Sequence, residues 1–359
     1  MRNATNFVIV SAAIIAVLVI GKGIIIPFIF AVIFWFLTRE IRKTIHRIPF
    51  AKKHIPAWLN NIFVFTIIIL AFGFVTEIIA NSVTTVTTSY TEYEPNVAMI
   101  IDKITSYFPK NITRSLKTVI GNFNYGLVLG SVANGISSLL GDTFMIVIYA
   151  VFIFLEESSF VKKIHKIFQS EISYNNMKVI LTKIELSIST YLRLKTFVSL
   201  LTGVLSYIVL IMVGVDSAPF WAFLILLLNY IPTIGSLVGT IFPAFFCLIQ
   251  FGELTPFLIV LIAVGSIQII VGNVVEPRVF GKSLNLSPLV TILSLAIWGT
   301  MWGITGMVLS VPITVIMIIV FSQFKNTLPV AIMLSENGEV EKAEKKPFLK
   351  KRQTKPSVQ

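Results

Sequence analysis

The chain has 359 residues, of which 55% are hydrophobic and only 13% charged, with a formal net charge of +12. A soluble chain of this length carries about 25% charge, so the composition excludes an ordinary soluble enzyme and predicts an all-α, polytopic integral membrane protein. The basic residues flank apolar runs and fill the tail, which argues against nucleic acid and for a chain held in a bilayer with its basic loops inside.

In chain order, Phe7–Ile20 and Ile24–Leu37 read as two short spans with a tight turn at Gly21-Lys22-Gly23, because one long span would leave Lys22 unpaired in hydrocarbon. Arg39–Lys53 carries six Lys or Arg against one Glu. That loop is expected in the cytoplasm, and so is the N-terminus. Ile62–Ala80 is a third span, closing a first unit at 1–80. Residues 81–135 form the extracytoplasmic part, where Val97, Ile100, Ile101, Ile104 and Phe108 share one helical face. The fourth span lies within 136–157 and ends at Glu156-Glu157. Residues 158–195 are amphipathic and lysine-rich, and are expected as cytoplasmic helices lying against the bilayer. Residues 326–359 form a cytoplasmic tail, mostly disordered by composition.

The core of the reading is 196–325. A fifth span, Thr196–Val213, leads into an apolar run broken at Asn229-Tyr-Ile-Pro-Thr-Ile-Gly235. A further span, Pro256–Val275, leads into a second run broken at Trp298-Gly-Thr-Met-Trp-Gly-Ile-Thr-Gly306. Each run exceeds the roughly 20 residues of a plain span. Backbone freed from a helix at membrane depth must be buried in protein or reached by water. Paired broken segments point to a transport site. The runs also match at an offset of 69 positions: Pro219 falls on Pro288, Pro243 on Pro312, Gly203 on Gly272 and Asp216 on Asn285. With both runs as re-entrant helical hairpins, Arg278 and Lys282 stay in the cytoplasm and the units form an inverted repeat, giving about eight membrane segments in all. The two tips are then expected to meet near the bilayer centre.

Catalytic signatures are absent. There is no H-E-x-x-H, G-x-S-x-G or G-x-x-x-x-G-K-[ST], and one cysteine, Cys247, allows no disulfide. No enzyme, cofactor or metal site is expected. The chemistry rests on polar groups and glycines in the core. Asn229, Pro232, Thr233, Gly235, Ser236, Gln268, Asn273, Gly299, Gly303, Thr305 and Gly306 are the candidate substrate pathway. Helix–helix hydrogen bonding is the plainer alternative for Gln268 and Asn273. Glu276 is the candidate for ion coupling, against an interfacial ion pair with Arg278 across Pro277.

The stretch Asn229 to Gly239 with Pro243 carries an I-P-x-x-G pattern. Glu276-Pro277-Arg278-Val-Phe-Gly281-Lys282 with Pro288, and Gly299 to Pro312, supply two more motifs in order. Together they resemble the autoinducer-2 exporter-like family of bacterial permeases, over about residues 7 to 325. The resemblance implies an integral permease of the bacterial cell membrane, homo-oligomeric, with a small polar solute such as autoinducer-2 as cargo. It also implies the alternative of Na⁺ or Li⁺ exchange against H⁺. A third reading from the residues alone is a membrane scaffold that transports nothing.

Overall fold

The computed structural model describes residues 2–45, 125–168, 170–281 and 285–340, with scattered positions between 66 and 100. Every regular element in these residues is helical: α1 (Arg2–Ile20), α2 (Lys22–Ile45), α3 (Tyr125–Ile167), α4 (Glu171–Val213), α5 (Ala218–Leu228), α6 (Ile234–Phe251), α7 (Leu254–Ile270), α8 (Glu276–Phe280), α9 (Pro288–Phe321) and α10 (Leu328–Leu334). Five stretches are long and apolar enough to cross a membrane: Lys22–Ile41, Ser173–Val213, Ile234–Phe251, Leu254–Phe280 and Pro288–Phe321. Most of the expected third span, most of 81–135, Lys282 and the tail beyond 340 lie outside the described residues.

The turn expected at Gly21-Lys22-Gly23 is a break at one residue. The Gly21 N–H donates to Val17 O at 2.8 Å and the Ile25 N–H donates to Gly21 O at 2.9 Å, so helical bonding ends and restarts at the same glycine. The helices meet end to end at that point. Beyond it, α2 packs on α3 through Ala31, Ile146 and Ala150. Helices α3 and α4 run through the expected span ends without a stop. At 1.5 Å per residue, α4 alone is about 60 Å long, twice the hydrocarbon thickness.

Packing on α4 is inside out relative to a soluble helix. Phe197, Leu200, Ile208, Ile211 and Met212 are exposed, while Ser199, Thr202 and Ser206 are wholly buried. Small polar residues let neighbouring backbones approach, and large apolar ones meet lipid. Gly203 lies under α5, where a Cβ would stand 3.1 Å from Leu226 Cβ and 3.2 Å from Ala222 O.

Both broken runs fold as antiparallel helix pairs. In the first, α5 and α6 lie close enough that a Cβ at Gly235 would overlap the Leu228 carbonyl, while one at Gly239 would approach Ile225. That pairing runs in opposite directions along the two arms. The far end of α6 returns to the start of α5: Gln250 Nε2 donates to Gly214 O at 2.9 Å, and its Oε1 accepts from the Asp216 N–H at 2.9 Å. In the second pair, α9 reverses at Gly303, which has φ 63 and ψ −143. Only glycine tolerates that conformation. A Cβ at Gly306 would overlap the Trp298 carbonyl, and one at Gly299 would stand 3.0 Å from Met307 Cγ.

The bases of the two pairs lie at opposite ends of α4. The first packs beside Leu210 and Val215. The second arm of α9, through Val311, Val315 and Ile319, packs with Ile188, Tyr191, Leu192 and Val198. The matched prolines occupy matched places. Pro219 and Pro288 sit in the first turn of the first arm, and Pro243 and Pro312 are buried in the second arm. Each base is tied by a segment outside the core. The Tyr93 hydroxyl donates to Asp216 Oδ2 at 2.6 Å, and Asn96 Nδ2 donates to Gln250 O at 2.6 Å. At the other base, the Ser287 N–H donates to Leu334 O at 3.3 Å, and Asn285 Nδ2 donates to Glu339 O at 2.5 Å.

Candidate functional site

The two tips, expected to meet, lie against different helices. The first tip reaches far along α4: Asn229 Nδ2 donates to Ser199 Oγ at 3.1 Å, and the Tyr230 and Thr196 hydroxyls share a hydrogen bond at 2.6 Å. Thr196 is 17 residues from Val213, about 25 Å along the helix axis. The second tip lies against α1, with Trp302 Nε1 donating to Leu18 O at 2.9 Å and its ring tilted against Trp298, centroids 5.0 Å apart.

The first tip is strained. Thr233 has φ 61 and ψ −55, and the Ile234 N–H donates to Pro232 O at 2.6 Å. This is a γ-turn of the rare positive-φ kind on a β-branched residue. Ser236 Oγ, donating to Thr233 O at 2.8 Å, helps to hold it. Thr233→Gly is therefore expected to stabilise the protein by about 1 kcal/mol, against the usual direction for glycine, by releasing this strain. Chemical unfolding in detergent checks it, and a loss of stability would mean the turn is relaxed.

Under the first tip lies a polar cluster. Lys195, 5% exposed at its side chain, pairs through Nζ with Glu276 Oε1 at 2.6 Å. The ion pair expected between Glu276 and Arg278 is thus made with Lys195, across 81 positions, and Arg278 is exposed. Pro277 explains the setting of Glu276. It has no N–H to give and its ring crowds the carbonyl of Asn273, so the helix widens into a π turn at Val271–Val275. The Tyr191 hydroxyl is buried with no hydrogen-bond partner among the described residues.

Of the other predicted site residues, Gln268 is buried against α6, where a Cβ at Gly239 would stand 3.3 Å from its Nε2, an atom without a hydrogen-bond partner among the described residues. Asn273 is exposed and donates to Ile269 O on its own helix at 3.0 Å. Pro232 and Thr305 are partly buried beside their turns. Gly281, with φ 51, ends α8. The second tip, from Gly299 to Gly306, does not join the cluster at Lys195.

The model of the AI-2E family transporters matches residues 7–326, nearly the whole chain. This protein belongs to the AI-2E transporter family. Its relatives agree. A protein of Haemophilus influenzae, carrying a provisional transport-protein name, is 30% identical over 359 residues, covering 95% of this chain and 99% of its own. The "AI-2 transport protein TqsA" of Escherichia coli K12 is 29% identical over 329 residues, 87% of this chain and 90% of that one. A Borreliella burgdorferi relative, also provisionally named for transport, is 34% identical over 240 residues, covering 66% of this chain and 65% of its own. This AI-2E transporter is thus a multi-pass membrane protein with a transport role. Its least expected site residues are Tyr191 and Lys195. Their signal was present: Tyr191, Lys195, Ser199, Thr202 and Ser206 form a polar stripe at spacings of 4, 4, 3 and 4 along an apolar helix.

Proposed function

We propose that this AI-2E transporter is a secondary carrier that moves a small polar solute, of the autoinducer-2 type, outward across a bacterial cytoplasmic membrane. The observation that carries the reading is the pair of helical hairpins based at opposite ends of α4. In a bilayer these re-enter from opposite sides as an inverted repeat, so one tip can open inward and the other outward. Both termini lie in the cytoplasm, and the carrier works as a homo-oligomer. Purified protein in liposomes, given radiolabelled candidate solutes under pH, sodium and voltage gradients, is expected to show saturable flux. Folded protein with no flux for any of them would leave the scaffold reading in its place.

Exchange of Na⁺ or Li⁺ against H⁺ ranks second. Glu276 is the carboxylate such a path needs, and its charge is already compensated by Lys195, so a cation would have to displace an ammonium. The re-entrant arrangement has its own test. A cysteine replacing Ser283, with Cys247 changed to Ser, is expected to resist an impermeant thiol reagent applied to intact cells. Ready labelling from outside would mean that the first broken run crosses the membrane fully.

A further inference from the structure

Tyr191 is the side chain in this region whose chemistry the fold leaves unused. Its hydroxyl is buried and makes no hydrogen bond among the described residues. Buried polar groups are nearly always satisfied, and an exception calls for a missing partner. Tyr191 precedes Lys195 by four residues, so the two share one face of α4. Glu276 meets that face from the end of the π turn. The Asn229–Thr233 turn is bonded to the same stretch of α4, through Tyr230–Thr196 and Asn229–Ser199, and carries the strained Thr233. Strain of this sort clusters at ligand clamps and switch regions.

Charge decides what such a place can hold. Lys195 and Glu276 cancel each other. A bound cation would compete with the ammonium, and a bound anion with the carboxylate, each leaving a buried charge without its partner. An uncharged solute displaces neither. It can accept from the Tyr191 O–H and the Lys195 N–H groups, and donate to the carboxylate of Glu276. We infer that Tyr191, Lys195 and Glu276 form the seat of an uncharged, hydroxyl-bearing solute, with the Asn229–Thr233 turn as its cover. The inference rests on the transport reading and deepens it, by placing the solute under one tip instead of between two.

Tyr191→Phe is the decisive variant, because it removes an O–H that bonds nothing among the described residues. The probes are labelled ribose and labelled glycerol, with unlabelled erythritol, gluconate and sodium as competitors. Saturable binding of a neutral probe to detergent-purified wild type is expected, displaced by erythritol and not by gluconate or sodium. Tyr191→Phe is expected to unfold at the wild-type temperature while binding about tenfold more weakly, the loss of one hydrogen bond to the ligand. In liposomes the same variant should raise KM by a similar factor and leave kcat near wild type. Absence of neutral-probe binding, displacement by sodium, unchanged binding in Tyr191→Phe, or a misfolded Tyr191→Phe (which would show that the hydroxyl has a partner in the protein) would each overturn the seat. Neutral-solute flux that persists with an unaltered KM in the variant removes the seat and leaves the transport reading standing. Loss of flux for every solute in wild type removes the transport reading itself.

Discussion

Glu276→Gln is expected to cost about 3–5 kcal/mol of stability, among the largest losses available to a single conservative change in this protein. The change deletes a charge and keeps the shape. Lys195 then holds an ammonium that is 5% exposed, with no anion at 2.6 Å. Desolvation that the pair had offset is left uncompensated. The mirror change, Lys195→Met, should cost less, because the Glu276 side chain is 29% exposed and water can reach it. Combining Lys195→Met with Glu276→Leu removes both charges and should recover most of the stability lost by Glu276→Gln. Chemical unfolding in detergent of the wild type and these variants gives the coupling. A loss under 1 kcal/mol for Glu276→Gln would show that the pair is solvated.

Gly235→Ala and Gly306→Ala are expected to prevent the helix pairs from closing. In each case the added methyl would overlap a backbone carbonyl of the facing arm, Leu228 or Trp298. A backbone atom cannot swing aside as a flexible side chain does, so the arms must separate. Overpacking in a dense interior costs about 1–3 kcal/mol where side chains can adjust, and more where backbone must move. Little folded, monodisperse protein should survive solubilisation. Gly272→Ala is the contrast. Nothing lies within 4 Å of that position, so alanine there should be neutral or mildly stabilising. Size-exclusion profiles of fluorescent fusions compare the three directly. Wild-type profiles for Gly235→Ala and Gly306→Ala would mean that the arms are not in contact.

The sequence carried the membrane class and both reversals, because the residues that turn a backbone announce themselves locally. Gly303 needs a conformation closed to other residues. Pro219 and Pro288 open helices, and Gly235 and Gly306 admit a neighbouring strand of main chain. The ion pair was not legible. Lys195 stood at the mouth of an apolar run, where a lysine ordinarily reaches back toward the interface. Its partner was chosen from the next residues along, Arg278 across Pro277, when the fold supplies one from another helix. Apolar length fixes how far an arm can go, while the Ser199 and Thr196 hydroxyls that fix where it stops lie on a different element. At Gly21, the cost of burying Lys22 was read as a demand for a chain reversal, and a one-residue helix break stands there.

The polar fastening of the first tip is light. Its two polar attachments, Tyr230 to Thr196 and Asn229 to Ser199, join uncharged groups. Such bonds contribute about 1 kcal/mol each. Together they hold the tip by about 2 kcal/mol, beside the apolar packing of Ile225 and Ile231. Hydrogen bonds to charged groups contribute about 1.5–3 kcal/mol each, so charged pairs at the same places would hold the tip more tightly. The ionic pair of this region instead joins α4 to the end of the π turn, away from the tip's own attachments.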